Sequence, residues 1–232
     1  MAITATRLTQ AAGVCAAVAG AIFIGVNINH PHVDVASITT TEVVIRNSLK
    51  ILMAVLALVG ITGMYLSQIR RNGVLGLLGY LVLGAGYLLI MSTTFVTAFI
   101  LPSIAATDPS YVKDVIAVAI GGTATGDIGA FGIVNKVQGF AYLAGGLLFG
   151  IALFRARVLA RWAAVLLAVG GVVSVALAVL PDAFYRLLAY PNGLAMIALG
   201  YSLWSTARSD APAQPAEVRD RRATTAGGEA TA

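Results

Sequence analysis

At 232 residues, with 59% hydrophobic and only 11% charged side chains, the chain departs from soluble domains, about a quarter of whose residues are charged. A mean hydropathy of +0.88 excludes an ordinary water-soluble fold and leaves room for several spans of ~20 residues but no separate large soluble domain. The net charge of +5 does not require nucleic acid, because the basic residues fall between apolar runs, where they set membrane orientation.

Six apolar segments follow one another: 8–28, 51–69, 74–101, 133–154, 162–180 and a weaker one at 184–204. Each is continuous rather than alternating, and a lipid-exposed backbone must satisfy its own hydrogen bonds, so helices are expected. The predicted fold is an all-α polytopic membrane helix bundle over residues 1–206, with a disordered cytoplasmic tail over 207–232.

The first run resembles a signal peptide in that Arg7 precedes it, but 8–28 is longer than a signal core and no cleavage site follows, so it is kept as a span. Cys15, the only cysteine, lies inside that run and excludes an intramolecular disulfide. Beyond it come His30-Pro31-His32-Val33-Asp34, which hold both histidines. In an extended loop His30, His32 and Asp34 point the same way, which suits a metal or an acid–base pair. The proline between the histidines argues against a metal, and no cofactor is expected.

Arg46 and Lys50 lie four residues apart on one helical face, with Asn47 beside them. The third run ends in Leu101-Pro102. The stretch Gly76-Leu77-Leu78-Gly79-Tyr80 through Phe95-Val96-Thr97-Ala98-Phe99-Ile100-Leu101-Pro102 resembles the third span of an uncharacterised family of bacterial six-span membrane proteins. The resemblance covers about thirty residues and implies a compact helical bundle with no assigned activity, so no catalytic residue carries over. Between the third and fourth spans, Asp108-Pro109 predicts a short amphipathic outer helix with an aspartate cap and proline in its first turn. Gly121 to Asp127 then form a loop.

Gly146 and Gly150 have the spacing that lets helix backbones approach closely, either within the monomer or across a homo-oligomer. Pro191 and Gly193 interrupt the last segment, which either kinks there or starts afresh at Pro191.

Ten of the fifteen lysines and arginines fall on one side if the N-terminus is inside: Arg7, Arg70, Arg71, Arg155, Arg157, Arg161 and Arg208 to Arg222. Both termini are therefore expected in the cytoplasm of a bacterium whose inner membrane the chain crosses. The inner halves of the spans are nearly free of polar groups. At the outer ends stand Arg46, Asn47, Lys50, Asn135, Lys136, Gln138, Arg186 and Asn192, the candidate ligand-binding residues, with Asp34, Glu42 or Asp182 as counter-charges. Cations at membrane depth fit an anionic group such as a lipid phosphate or a carboxylate.

The sequence shows no phosphate loop, nucleophile elbow, His-Glu helix motif or thiol pair. The leading expectation is a protein that binds or transports a lipophilic or amphipathic anion, with membrane lipids as partners and no nucleic acid. The alternatives are a membrane enzyme acting on a lipid or isoprenoid, with His30, His32 and Asp34 as its chemistry, and a structural subunit of a membrane complex.

Overall fold

The computed structural model describes residues 3–28, 33–177 and 189–209, among which there is no strand. The helices are α1 (Ala5–Asn27), α2 (Thr41–Leu66), α3 (Ile69–Phe95), α4 (Leu101–Ile104), α5 (Pro109–Ala119), α6 (Phe131–Ala156), α7 (Arg161–Leu177) and α8 (Ala189–Ser209). A wide π-type turn, Val96–Ile100, joins α3 to α4. Pro102, just past this turn, has no N–H to donate and would crowd the carbonyl four residues back in a regular helix, which accounts for the widening there.

Neighbours in the bundle follow a ring. Helix α1 packs on α2, α2 on α3, α3 on α6, α6 on α7, α7 on α8, and α8 returns to α1. The ring closes around one apolar core in which Ile61, Met64, Leu83, Phe149, Leu153 and Leu199 are fully buried.

Glycine sets how closely these helices approach. A Cβ on Gly13 would lie 2.6 Å from the Gly200 carbonyl oxygen and 2.9 Å from the Trp204 nitrogen, and Gly20 meets Gly193 in the same way one heptad further along. On the other flank of α1, Gly60 and Gly63 of α2 accept Ala16 and Ala12. Gly150 of the Gly146/Gly150 pair faces α7, where a Cβ would lie 2.7 Å from the Ala164 oxygen. These small-residue faces are thus occupied within the monomer, where backbone proximity maximises dispersion contacts that lipid cannot offer.

A second apolar cluster sits at one end of the ring. Ile38, Val43, Leu101, Val112, Val115 and Ile116 converge from the Ser37–Thr39 turn, α2, α4 and α5. Helix α5 therefore packs over the bundle end. Its start is the predicted one: Asp108 Oδ1 accepts the Tyr111 N–H at 3.0 Å, and Pro109 occupies the first turn. Val112, Val115 and Ile116 form its buried apolar side, whereas Ala119 is exposed.

The helix limits refine the sequence expectation. Helix α2 begins at Thr41, ten residues before the apolar run, because Glu42 to Lys50 continue the helix with polar groups on it. Pro191 falls in the first turn of α8, where an N–H would have no helical partner; the residues before Ala189, and with them the choice between a kink and a fresh start, lie outside the described residues, as does the tail beyond Ser209.

Candidate functional site

Arg46 anchors the end of the bundle where α1 stops and α2 begins. One turn into α2, its Nη1 donates to the carbonyl oxygens of Val26 at 3.2 Å and Ile28 at 3.1 Å, the last carbonyls of α1. Those carbonyls have no partner inside their own helix, and a guanidinium suits them because it carries several donors in a fixed plane. Its Nε donates to Glu42 Oε1 at 3.0 Å, one turn back.

Beside this arginine a groove of about 470 Å³ runs between α1 and α2, lined by Ile22, Gly25, Val26, Ile45 and Leu49, with Glu42 and Arg46 at its polar end. Its walls are apolar and its two charged groups are of opposite sign. A groove of this size falls in the range of small-molecule sites.

The other predicted residues do not converge on it. Asn47 is buried on α2 and Lys50 is half-buried one turn further along. Asn135 Nδ2 donates to the Val118 oxygen at 3.0 Å and so ties the start of α6 to the end of α5. Gln138 Oε1 accepts from the buried Thr93 hydroxyl at 2.5 Å, joining α6 to α3. Lys136 is exposed on α6, with α3 between it and the helix that carries Arg46. Asn192 is buried against Gly170 of α7. Asp34 caps the short turn that follows it: its Oδ1 accepts the Ser37 N–H at 2.7 Å, and its own N–H donates to the Ser37 hydroxyl at 2.8 Å. His30, His32 and Arg186 lie outside the described residues, among which no three His, Cys, Asp or Glu side chains are placed to hold a metal.

Two polar groupings escaped the sequence reading. The ends of α2 and α3 that meet at their connecting turn are less apolar than expected: Tyr65 stacks on Tyr80 with ring centroids 4.8 Å apart, and the Tyr80 hydroxyl lies 3.1 Å from that of Thr62. At the turn between these helices Gln68 and Asn72 are buried, and Gln68 Nε2, Gln68 Oε1 and Asn72 Oδ1 have no hydrogen-bond partner among the described residues. The sequence reading passed over both, and nothing in their pattern beside Arg70 and Arg71 marks their burial together.

The second grouping is on α5. Asp114 is buried, and its carboxylate accepts the Thr125 N–H at 3.1 Å, the Gly126 N–H at 2.7 Å and the Thr125 hydroxyl at 3.0 Å. The Thr125 N–H, the Gly126 N–H and the Thr125 hydroxyl together outweigh desolvation and hold this carboxyl below the usual carboxylate range. Because the folded value is depressed, the contribution is fully present above an ordinary carboxylate pKa of ~3.9 and is lost as pH falls through the lower folded value. Hydrogen-exchange protection of the Thr125 and Gly126 amides, corrected for intrinsic rates, should hold from pH 7 to about 4 and collapse below. Asp114→Asn, which keeps a single acceptor oxygen, should lose roughly tenfold in that protection at pH 7; unchanged protection would show that the carboxylate does not hold this loop.

Helices α1, α2 and α6 and the continuous stretch Ile69–Ile104 are long and apolar enough to cross a membrane. Their outward faces are apolar as well, with Leu81 54% and Phe140 73% exposed, which water would penalise and hydrocarbon accommodates. This is a helical membrane protein. No family model matches the chain, and no curated protein or solved structure matches it.

Proposed function

We propose that this is a six-span protein of a bacterial cytoplasmic membrane, with both termini inside, that binds or transports an amphipathic, lipid-like anion from the outer side. The groove between α1 and α2 carries the reading: apolar walls from Ile22 to Leu49 suit a hydrocarbon tail, and Arg46 at the polar end suits an anionic headgroup. Glu42 balances the arginine when no ligand is present. The orientation rests on Arg70, Arg71, Arg155, Arg157, Arg161 and Arg208, which all stand at one end of the helix ring, away from Arg46. Helices α7 and α8 complete the six.

The test is native mass spectrometry of protein purified in mild detergent, with Gly25→Trp as the blocking variant. Nothing lies within 4 Å of a Cβ at Gly25, so a side chain there starts in open space, and an indole is large enough to obstruct the groove. The wild type should retain a lipid-sized adduct and the variant should lose most of it. An adduct retained equally by both, or absent from the wild type, would overturn the reading.

A further inference from the structure

The end of the bundle opposite the groove carries a separate site. Helices α3 and α6 run antiparallel in a strict register: Gly86 meets Tyr142, Leu83 meets Gly145, Gly79 meets Phe149 and Gly76 meets Ala152. Each step moves three or four residues up one helix and down the other. The antiparallel pairing therefore puts the start of α3, with Arg70 and Arg71, at the same end of the pair as the last turn and cap of α6, with Arg155 and Arg157. Arg70, Arg71, Arg155 and Arg157 are all exposed. The backbone favours this display: Gly73 takes φ 57°, breaking the first turn of α3, and Arg157 caps α6 at φ 57°, turning the chain back.

Neither α3 nor α6 carries a carboxylate that could offset these charges. The sequence has no Asp or Glu between Glu42 and Asp108 or between Asp127 and Asp182, so four guanidinium groups on two packed helices face outward without a carboxylate from either helix. Hydrocarbon-facing side chains adjoin them: Val74 is 74% exposed and Trp162 58% exposed. A soluble anion would use the charges and leave that apolar rim in water. A phospholipid uses both, with its phosphate in the guanidinium forks and its chains beside Val74 and the indole.

We infer that Arg70, Arg71, Arg155 and Arg157 form a binding site for an anionic phospholipid headgroup at the α3–α6 end of the bundle. The site requires a bilayer around the helices, but neither the groove reading nor a particular orientation.

The experiment reconstitutes full-length protein into phosphatidylcholine nanodiscs, adds increasing phosphatidylglycerol and reads bound lipid by native mass spectrometry. The wild type should select phosphatidylglycerol over phosphatidylcholine, and Arg70→Gln/Arg71→Gln/Arg155→Gln/Arg157→Gln should lower its apparent affinity at least tenfold, since each basic residue near an anionic surface contributes several-fold. If the quadruple variant does not fold, each pair of substitutions should give a partial loss, and an unaffected pair would overturn the four-residue site. Raising salt to about 1 M should weaken selection as the Debye length shrinks. Made in a Gly25→Trp background, which removes any groove lipid, the four substitutions should still lower the remaining selection at least tenfold; selection already abolished by Gly25→Trp alone would place the lipid in the groove instead. Equal binding of both lipids, or displacement of phosphatidylglycerol by equimolar inorganic phosphate, would overturn the proposal. So would selectivity that emerges only when the tail acids Asp210, Glu217, Asp220 and Glu229 are neutralised, because the tail would then be the partner of these arginines.

Discussion

Gly13→Leu should lower stability in detergent by about 3 kcal/mol or prevent the bundle from closing. Overpacking a well-packed core usually costs ~1–3 kcal/mol, because neighbouring side chains shift to make room. Here the obstacles are the Gly200 carbonyl oxygen and the Trp204 nitrogen, backbone atoms of a helix that can yield only by moving as a whole. The contact is reciprocal, since a Cβ on Gly200 would lie 2.7 Å from the Ala17 nitrogen and collide with the Gly13 oxygen. Gly139→Ala is the matched control: nothing lies within 4 Å of its Cβ, so alanine's better helix propensity, up to ~1 kcal/mol, is the main effect. Thermal unfolding followed by tryptophan fluorescence checks both, and equal melting temperatures for the two variants would show that the α1–α8 contact is looser than described.

The second large effect belongs to Arg46. Arg46→Ala should destabilise the protein by about 2 kcal/mol, because it removes two charge-assisted hydrogen bonds from the Val26 and Ile28 carbonyls at the end of α1. Glu42→Gln should cost only ~0.5 kcal/mol, since the Glu42 side chain is 59% exposed and a helical i,i+4 pair in solvent contributes little. The ratio of the two separates a helix staple from a surface ion pair. In the native mass spectrum Arg46→Ala should also lose the groove adduct, whereas Glu42→Gln should keep it. Similar stability losses for both variants would assign the arginine's contribution to the ion pair.

The legible part of the fold was the part governed by solvent. Continuous apolar runs demand helices, and the Asp108-Pro109 start of α5 follows from cap chemistry. What the sequence did not reveal is adjacency. A helix with apolar residues on every side carries little information about which face meets protein, so the ring order and the glycine pairs emerge only in three dimensions.

The candidate site was legible by residue type but not by role. Arg46 read as a ligand-binding cation, yet its nearest partners are the carbonyls that end α1. Asn135 and Gln138 read as rim residues, and each ties its helix to a neighbour. A polar side chain near the end of a span has the same sequence signature whether it binds a ligand or a backbone. Gln68, at the end of the apolar run 51–69, and Asn72, between two spans, drew no sequence reading, yet the short connection draws both under the bundle end.

The meeting of α1 with α8 also has a temporal consequence. Helix α1 is made well before α8, so its glycine-lined partner becomes available only after the intervening helices have been synthesised. Until then α1 can rest on α2 alone, and its Gly13–Gly20 face stays in contact with lipid or a membrane chaperone. Closure of the ring between α1 and α8 therefore follows synthesis of the helices between them, and a chain that stops before Ala189 would leave the Gly13–Gly20 face of α1 without its partner helix.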